Sequence, residues 1–251
     1  MIRSLLRQLI ALLCFMPAWP ALAQVPVDLE LVLAVDVSGS VDPTEAALQR
    51  EGYVSALTDP QVVRAIRSGP MGRIAVIYLE WAGDQYQRIV ADWSVIEDER
   101  SATVFTSRVA EAPFVTGRWT SISAAIDYSV AQFPRNPNQG IRKVIDVSGD
   151  GYNNSGRSVT MARDEAIASG ITINGLPILN DRPNPMGAGP APADLDVYFE
   201  TYVVGGPGAF VVPAKDFTAF GEAILRKLLL EIAGKTPETR QTATLTKQNR
   251  D

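Results

Sequence analysis

Apolar positions along the chain fall into short unbroken runs, most of them followed by a longer stretch with helical spacing. Leu29 to Val35 (LELVLAV) is almost continuously apolar and rich in β-branched residues, which predicts a buried strand. Asp42-Pro43-Thr44-Glu45 then carries a capping residue, a proline suited to the first helical position and a glutamate completing a capping box. The helix it starts is predicted to run to about Leu57. Arg73 to Trp81 and Tyr86 to Trp93, joined by Ala82-Gly83-Asp84, predict a hairpin. Helical patterns follow over Glu97 to Ala110 and Ser121 to Phe133, and then a Pro/Asn/Gly loop from Pro134 to Gly140.

The second half repeats the alternation. Arg142 to Val147 reads as a strand and Val159 to Ser169 as a helix closed by Gly170. Ile171 to Ile178 is a strand, Asn180 to Ala193 a Pro/Gly-rich loop, and Leu195 to Tyr202 a short helix. Ala209 to Val212 is predicted as a last edge strand and Phe217 to Ile232 as the closing helix. Such alternation predicts an α/β fold with a mostly parallel central sheet, one antiparallel edge strand and helices on both faces. No linker interrupts residues 24–233, which read as one domain. Residues 234–251 are polar and read as a disordered tail.

The first 23 residues depart from this pattern. Arg3 and Arg7, the apolar stretch Leu9 to Met16 and Ala21-Leu22-Ala23 together read as a signal peptide cleaved before Gln24. The expected location is therefore the periplasm or the exterior. Cleavage leaves 228 residues and removes Cys14, the only cysteine, so no disulfide supports the core. It also leaves 21 basic residues against 28 acidic ones, a net charge of about −7. Such a balance disfavours nucleic acid as a partner, and no later segment is apolar and long enough for stable membrane insertion.

The chain contains no histidine. Ser-His-Asp and Cys-His catalysis are thereby excluded, as are zinc sites built on imidazole. Carboxylates, hydroxyls, amides and lysines remain. Asp36-Val37-Ser38-Gly39-Ser40 directly follows the first strand, at the end where ligands gather in open α/β sheets. Two further segments are expected at the same end: Thr120, just before a helix, and Asp150, just after the Arg142–Val147 strand. Two carboxylates and three hydroxyls suit a hard divalent cation. Mg²⁺ fits best because it retains part of its shell for outside ligands; Mn²⁺ accepts the same donors, and Ca²⁺ prefers more of them. Ser121 and Ser123 stand as alternatives to Thr120, and Asp146 as an alternative to Asp150. Gly151 and the place beyond the strand end favour Asp150.

In these residues the chain resembles the von Willebrand factor type A (VWA) domains. Their metal-ion-dependent adhesion site (MIDAS) uses Asp-x-Ser-x-Ser, a distant Thr and an Asp usually followed by Gly. Asp36, Ser38, Ser40, Thr120 and Asp150 match in that order, and the resemblance covers about residues 28 to 233. Ile145 to Asn154 and Ile171 to Pro177 further resemble a family of exported bacterial VWA proteins. The resemblance implies a Rossmann-like VWA fold and capture of a protein or peptide carboxylate by the bound cation. In some relatives the last helix shifts when the site is filled. Arg118-Trp119 stand where VWA domains often carry small residues. Trp119 reads equally as an exposed contact or as core, and Trp81 and Trp93 as hairpin packing.

An enzymatic alternative rests on Gly149 to Asn154, which superficially resembles the Gly-Asp-Gly-x-Asn-Asp motif of haloacid-dehalogenase-type phosphatases. Those need a second Asp two residues beyond the nucleophile, where this chain has Ser38. The sequence therefore reads as a binding module and not an enzyme. A third reading is an assembly scaffold with a purely structural metal.

Overall fold

The computed structural model describes residues 24–179 and 192–237. The segment expected to be a signal peptide, most of the 180–193 loop and most of the polar tail lie outside them.

Five strands form one sheet in the order β3-β2-β1-β4-β5. These are β1 (Val25–Asp36), β2 (Ile74–Trp81), β3 (Gln87–Ile96), β4 (Asn138–Gly149) and β5 (Thr172–Pro177). Every pairing is parallel except β2 with β3, which closes as the expected hairpin.

Side-chain alternation along the strands sorts the core into two layers. Leu29, Leu31, Leu33 and Val35 of β1 join Ile74, Val76 and Tyr78 of β2 on one face. That face is covered by α1 (Pro43–Thr58), α2 (Pro60–Arg67), α3 (Glu99–Glu111) and α7 (Phe220–Ala233). Val32 and Ala34 join Ile77, Leu79 and Trp81 on the other face. There α4 (Ile122–Val130), α5 (Val159–Ala168) and α6 (Leu195–Tyr198), with the π-type turn Phe199–Val203, complete the layer. The fold is the VWA α/β sandwich.

The capping box at the start of α1 forms as expected. Asp42 Oδ1 accepts from the Thr44 and Glu45 amides at 2.7 and 2.9 Å, and Glu45 Oε2 accepts from the Asp42 amide at 3.0 Å.

Several expectations need correction. α2 is a further helix, begun by Asp59 as N-cap and Pro60 at its first position, a repeat of the Asp42-Pro43 signal. β4 starts at Asn138, inside the expected loop, because Asn138 to Gly140 pair with Val25 to Val27. The Ala209–Val212 edge strand is not a strand. It meets the sheet only through isolated bridges, Gly175 to Val211 and Ile178 to Ala214. Gly175 N–H donates to Phe210 O and Val212 N–H to Gly175 O, but the next amide in the ladder would come from Pro177, which has none. The short helix is α-helical only to Tyr198. Trp119 is 62% exposed, so it is not core. Trp81 and Trp93 pack as expected: Trp81 is fully buried, and Trp93 sits 5.9 Å from the Phe133 ring.

Candidate metal centre

Asp36 is the last residue of β1 and is completely buried. Its Oδ1 accepts the Ser38 amide at 2.7 Å, a local Asx turn that bends the chain away from the strand. The turn brings Ser38 and Ser40 back over the strand end, with their hydroxyls 3.0 Å apart. Ser40 Oγ donates to Asp150 Oδ1 at 2.6 Å, and Thr120 Oγ1 lies 3.4 Å from Ser38 Oγ. The five side chains Asp36, Ser38, Ser40, Thr120 and Asp150 thus converge at the C-terminal ends of β1 and β4.

The alternatives left open by the sequence lie elsewhere. Ser121 is the N-cap of α4 and donates to Ser155 O at 2.9 Å, and Ser123 hydrogen-bonds to Ser121. Asp146 faces α7, where it pairs with Lys227 at 2.7 Å.

Thr120 reaches the cluster because residues 112–121 are tied across the top of the sheet. Glu80 is buried between Arg50 and Arg88, each 2.6 Å away. The same two guanidiniums bind the Ala112 and Pro113 carbonyls. Thr116 Oγ1 and the Gly117 amide both donate to Val37 O, and the Ser121 amide to Ala82 O. A reciprocal clasp then holds Thr120: its amide donates to Asn154 Oδ1 and its carbonyl accepts from the Asn154 amide, both at 2.8 Å. Asn153 Oδ1 accepts the Ser123 amide at 2.9 Å. The two asparagines therefore tie the start of α4 to the loop that carries Asp150. Asn154→Ala is expected to cost about 1–2 kcal/mol of stability, read from a urea midpoint, because it strands the Thr120 amide.

Both carboxylates are dry and close together. Burial, reinforced by the charge of Asp150, pushes Asp36 up to about 8. Burial pushes Asp150 up to about 6, against the opposing hydrogen bond from Ser40. Asp36 Oδ2 is buried with no hydrogen-bond partner among the described residues. Gly149 keeps the space beside it clear, since a Cβ there would stand 2.9 Å from Asp36 Oδ2 and 3.3 Å from the Trp81 ring. An unpartnered dry carboxylate oxygen is costly unless a cation meets it. No group of three or more acidic, His or Cys side chains that could hold a metal gathers among the described residues. The donor set here is two carboxylates with three hydroxyls, and hard oxygen donors of that kind suit a small divalent cation. No helix among the described residues is long and apolar enough to cross a membrane.

The same fold occurs in distant proteins. Proximal thread matrix protein 1 from the mussel byssus, solved with a zinc-occupied MIDAS motif, matches with a TM-score of 0.58 at 13% identity. The match covers 84% of this chain and 49% of that one. SpaC, a pilus adhesin from Lactobacillus rhamnosus GG, matches with a TM-score of 0.59 at 14% identity, over 82% of this chain and 31% of that one. A von Willebrand factor type A protein from Catenulispora acidiphila matches with a TM-score of 0.54 at 16% identity, over 83% and 43%. This chain therefore spans about half or less of the length of these structures. No curated protein matches the sequence. Residues 26–236 match the family model described as protein of unknown function (DUF1194), and the chain belongs to that family.

Proposed function

We propose that this chain is an exported binding module. Asp36, Ser38, Ser40, Thr120 and Asp150 hold a divalent cation, Mg²⁺ by donor chemistry, and the cation accepts a carboxylate from a protein or peptide partner. The observation that carries this reading is Asp36 Oδ2, buried and without a hydrogen-bond partner among the described residues. Two carboxylates offset the ion's charge, and the neutral hydroxyls leave it electrophilic enough to take an outside anion. The zinc-occupied MIDAS of the mussel protein and the adhesin SpaC support the reading by their shared fold. Catalysis is not part of the proposal, because Ser38 stands where a phosphatase of the motif weighed above would carry its general acid. The proposed compartment is the periplasm or the exterior.

The test is capture of partners from the native cell envelope by the purified chain, with Mg²⁺ or with EDTA. Partners are expected to be retained only with Mg²⁺ and lost with Asp36→Ala. Equal retention by folded Asp36→Ala would favour a scaffold with a structural metal instead.

A further inference from the structure

Trp119 has a left-handed backbone, φ +64°, and no other non-glycine among the described residues has a positive φ. A bulky aromatic residue rarely adopts that conformation, and strain of this kind collects at binding sites. The strain serves no core packing: Trp119 is 62% exposed and joins neither core layer. The chain on both sides of Trp119 is anchored. Thr120 is clasped by Asn154, and the Gly83 amide donates to Arg118 O at 3.0 Å. Position 83 admits only glycine, because a Cβ there would fall 2.6 Å from Arg118 O. The backbone thus holds an indole out to solvent directly beside Thr120. The exposed Arg118 guanidinium lies 6.0 Å from its ring centroid, a basic point on an acidic chain.

A second group of aromatic residues begins close to Asp150 in the chain. Tyr152, two residues beyond Asp150, packs 4.6 Å from Tyr198, which packs 5.2 Å from Tyr202. Thr120 and Asp150 thus each have an aromatic residue one or two places away in the chain, and Arg118 lies beside the exposed one.

We infer that Trp119 and Arg118 set the specificity of this site: they select acidic peptides in which an aromatic residue adjoins the bound carboxylate. A rigid exposed indole offers a large contact area at small entropic cost, and such residues dominate binding hot spots. Arg118 favours further negative charge on the same peptide. The inference rests on the cation-dependent capture proposed above.

The test uses the full chain, millimolar Mg²⁺ and two fluorescent peptides, Gly-Gly-Asp-Trp-Gly-Gly and Gly-Gly-Asp-Gly-Gly-Gly, read by anisotropy. Separate Mn²⁺ titrations report metal uptake. The Asp-Trp peptide is expected to bind about tenfold more tightly, the size of one hot-spot contact. Trp119→Ala and Trp119→Gly are expected to erase that preference while retaining Mn²⁺, and Trp119→Phe to keep most of it. Trp119→Gly relieves the left-handed strain, so its melting temperature should not fall; a fall would mark Trp119 as structural and overturn the inference. Equal binding of the two peptides by a metal-loaded chain would overturn the inference alone. So would Trp119-dependent binding of an oligogalacturonate in place of peptides. Failure of the wild type to take up Mn²⁺ would overturn both this inference and the function beneath it.

Discussion

Lys227→Met is expected to destabilise the chain by about 3–5 kcal/mol, the usual cost of leaving buried charge unpaired. Lys227 lies on α7 and is fully buried. Its ammonium stands 2.7 Å from Asp146 Oδ1 on β4 and 2.5 Å from Glu231 Oε1 one turn along the helix. Asn174 of β5 donates to the same Glu231 oxygen at 2.9 Å and accepts the Phe210 amide at 3.1 Å. The network fastens the closing helix to the middle of the sheet. Methionine fills similar space but leaves two dry carboxylates facing one another. Urea unfolding would show the loss as a lower midpoint with an unchanged slope. Adding Asp146→Leu to Lys227→Met should recover part of it, since an apolar replacement removes one of the stranded charges.

The same network sets a pH dependence. Two buried carboxylates share one ammonium. Burial pushes Asp146 up to about 7 despite Lys227, and Glu231 adds to the rise. Between its ordinary value of 3.8 and about 7, the folded chain binds more protons here than the unfolded chain does. Stability from this group is therefore fully present below its ordinary 3.8 and is lost as pH rises through about 7. In EDTA the urea midpoint should be higher at pH 5 than at pH 8, and Asp146→Asn should reduce the difference.

The second large effect is expected from Asp36→Asn, with opposite signs in two measurements. In EDTA at pH 8 the variant should gain stability on the order of 1 kcal/mol. It removes a buried carboxylate whose pKa is raised to about 8 by burial and by Asp150, while the amide oxygen can still accept the Ser38 amide. Divalent metal affinity should fall by more than the roughly 10–100-fold that outer-shell partners are worth. Added Mg²⁺ should then raise the midpoint of the wild type and leave that of the variant unchanged. A purely structural carboxylate would give one sign in both experiments.

The sequence carried most of the layer structure, because apolar runs, capping boxes and the hairpin are local signals. Asp36, Ser38 and Ser40 were legible for the same reason: they follow the strand that positions them. Thr120 and Asp150 needed the topology of the parallel sheet, and the choice between Thr120, Ser121 and Ser123 needed coordinates. A one-residue step separates the side chain that faces Ser38 from the helix N-cap, and the long-range contacts of Thr120 with Ser38 and Asn154 distinguish them. The role of Asn154 has no local signal, because its partner Thr120 lies 34 residues away in the chain. Asp59-Pro60 carries the same local start signal for α2 as Asp42-Pro43 does for α1. The start of β4 was hidden because polar residues entered the sheet by pairing with Val25 to Val27, where tertiary pairing outweighs local propensity. Lys227, Asp146 and Glu231 left no trace in periodicity, since charged residues on a helix or strand read as solvent-facing until their partners across the core are known. The exposure of Trp119 was likewise undecidable from pattern alone, because its position depends on Gly83 and Asn154 far along the chain.

The most direct measurement is Mn²⁺ titration followed by electron paramagnetic resonance on wild type, Asp36→Asn, Asp150→Asn and Ser121→Ala. The expected result is a single bound ion in the wild type and in Ser121→Ala, and its loss in both carboxylate variants. A wild type that binds no ion, or an Asp36→Asn protein that binds it as well as the wild type, would contradict a cation centre at the ends of β1 and β4.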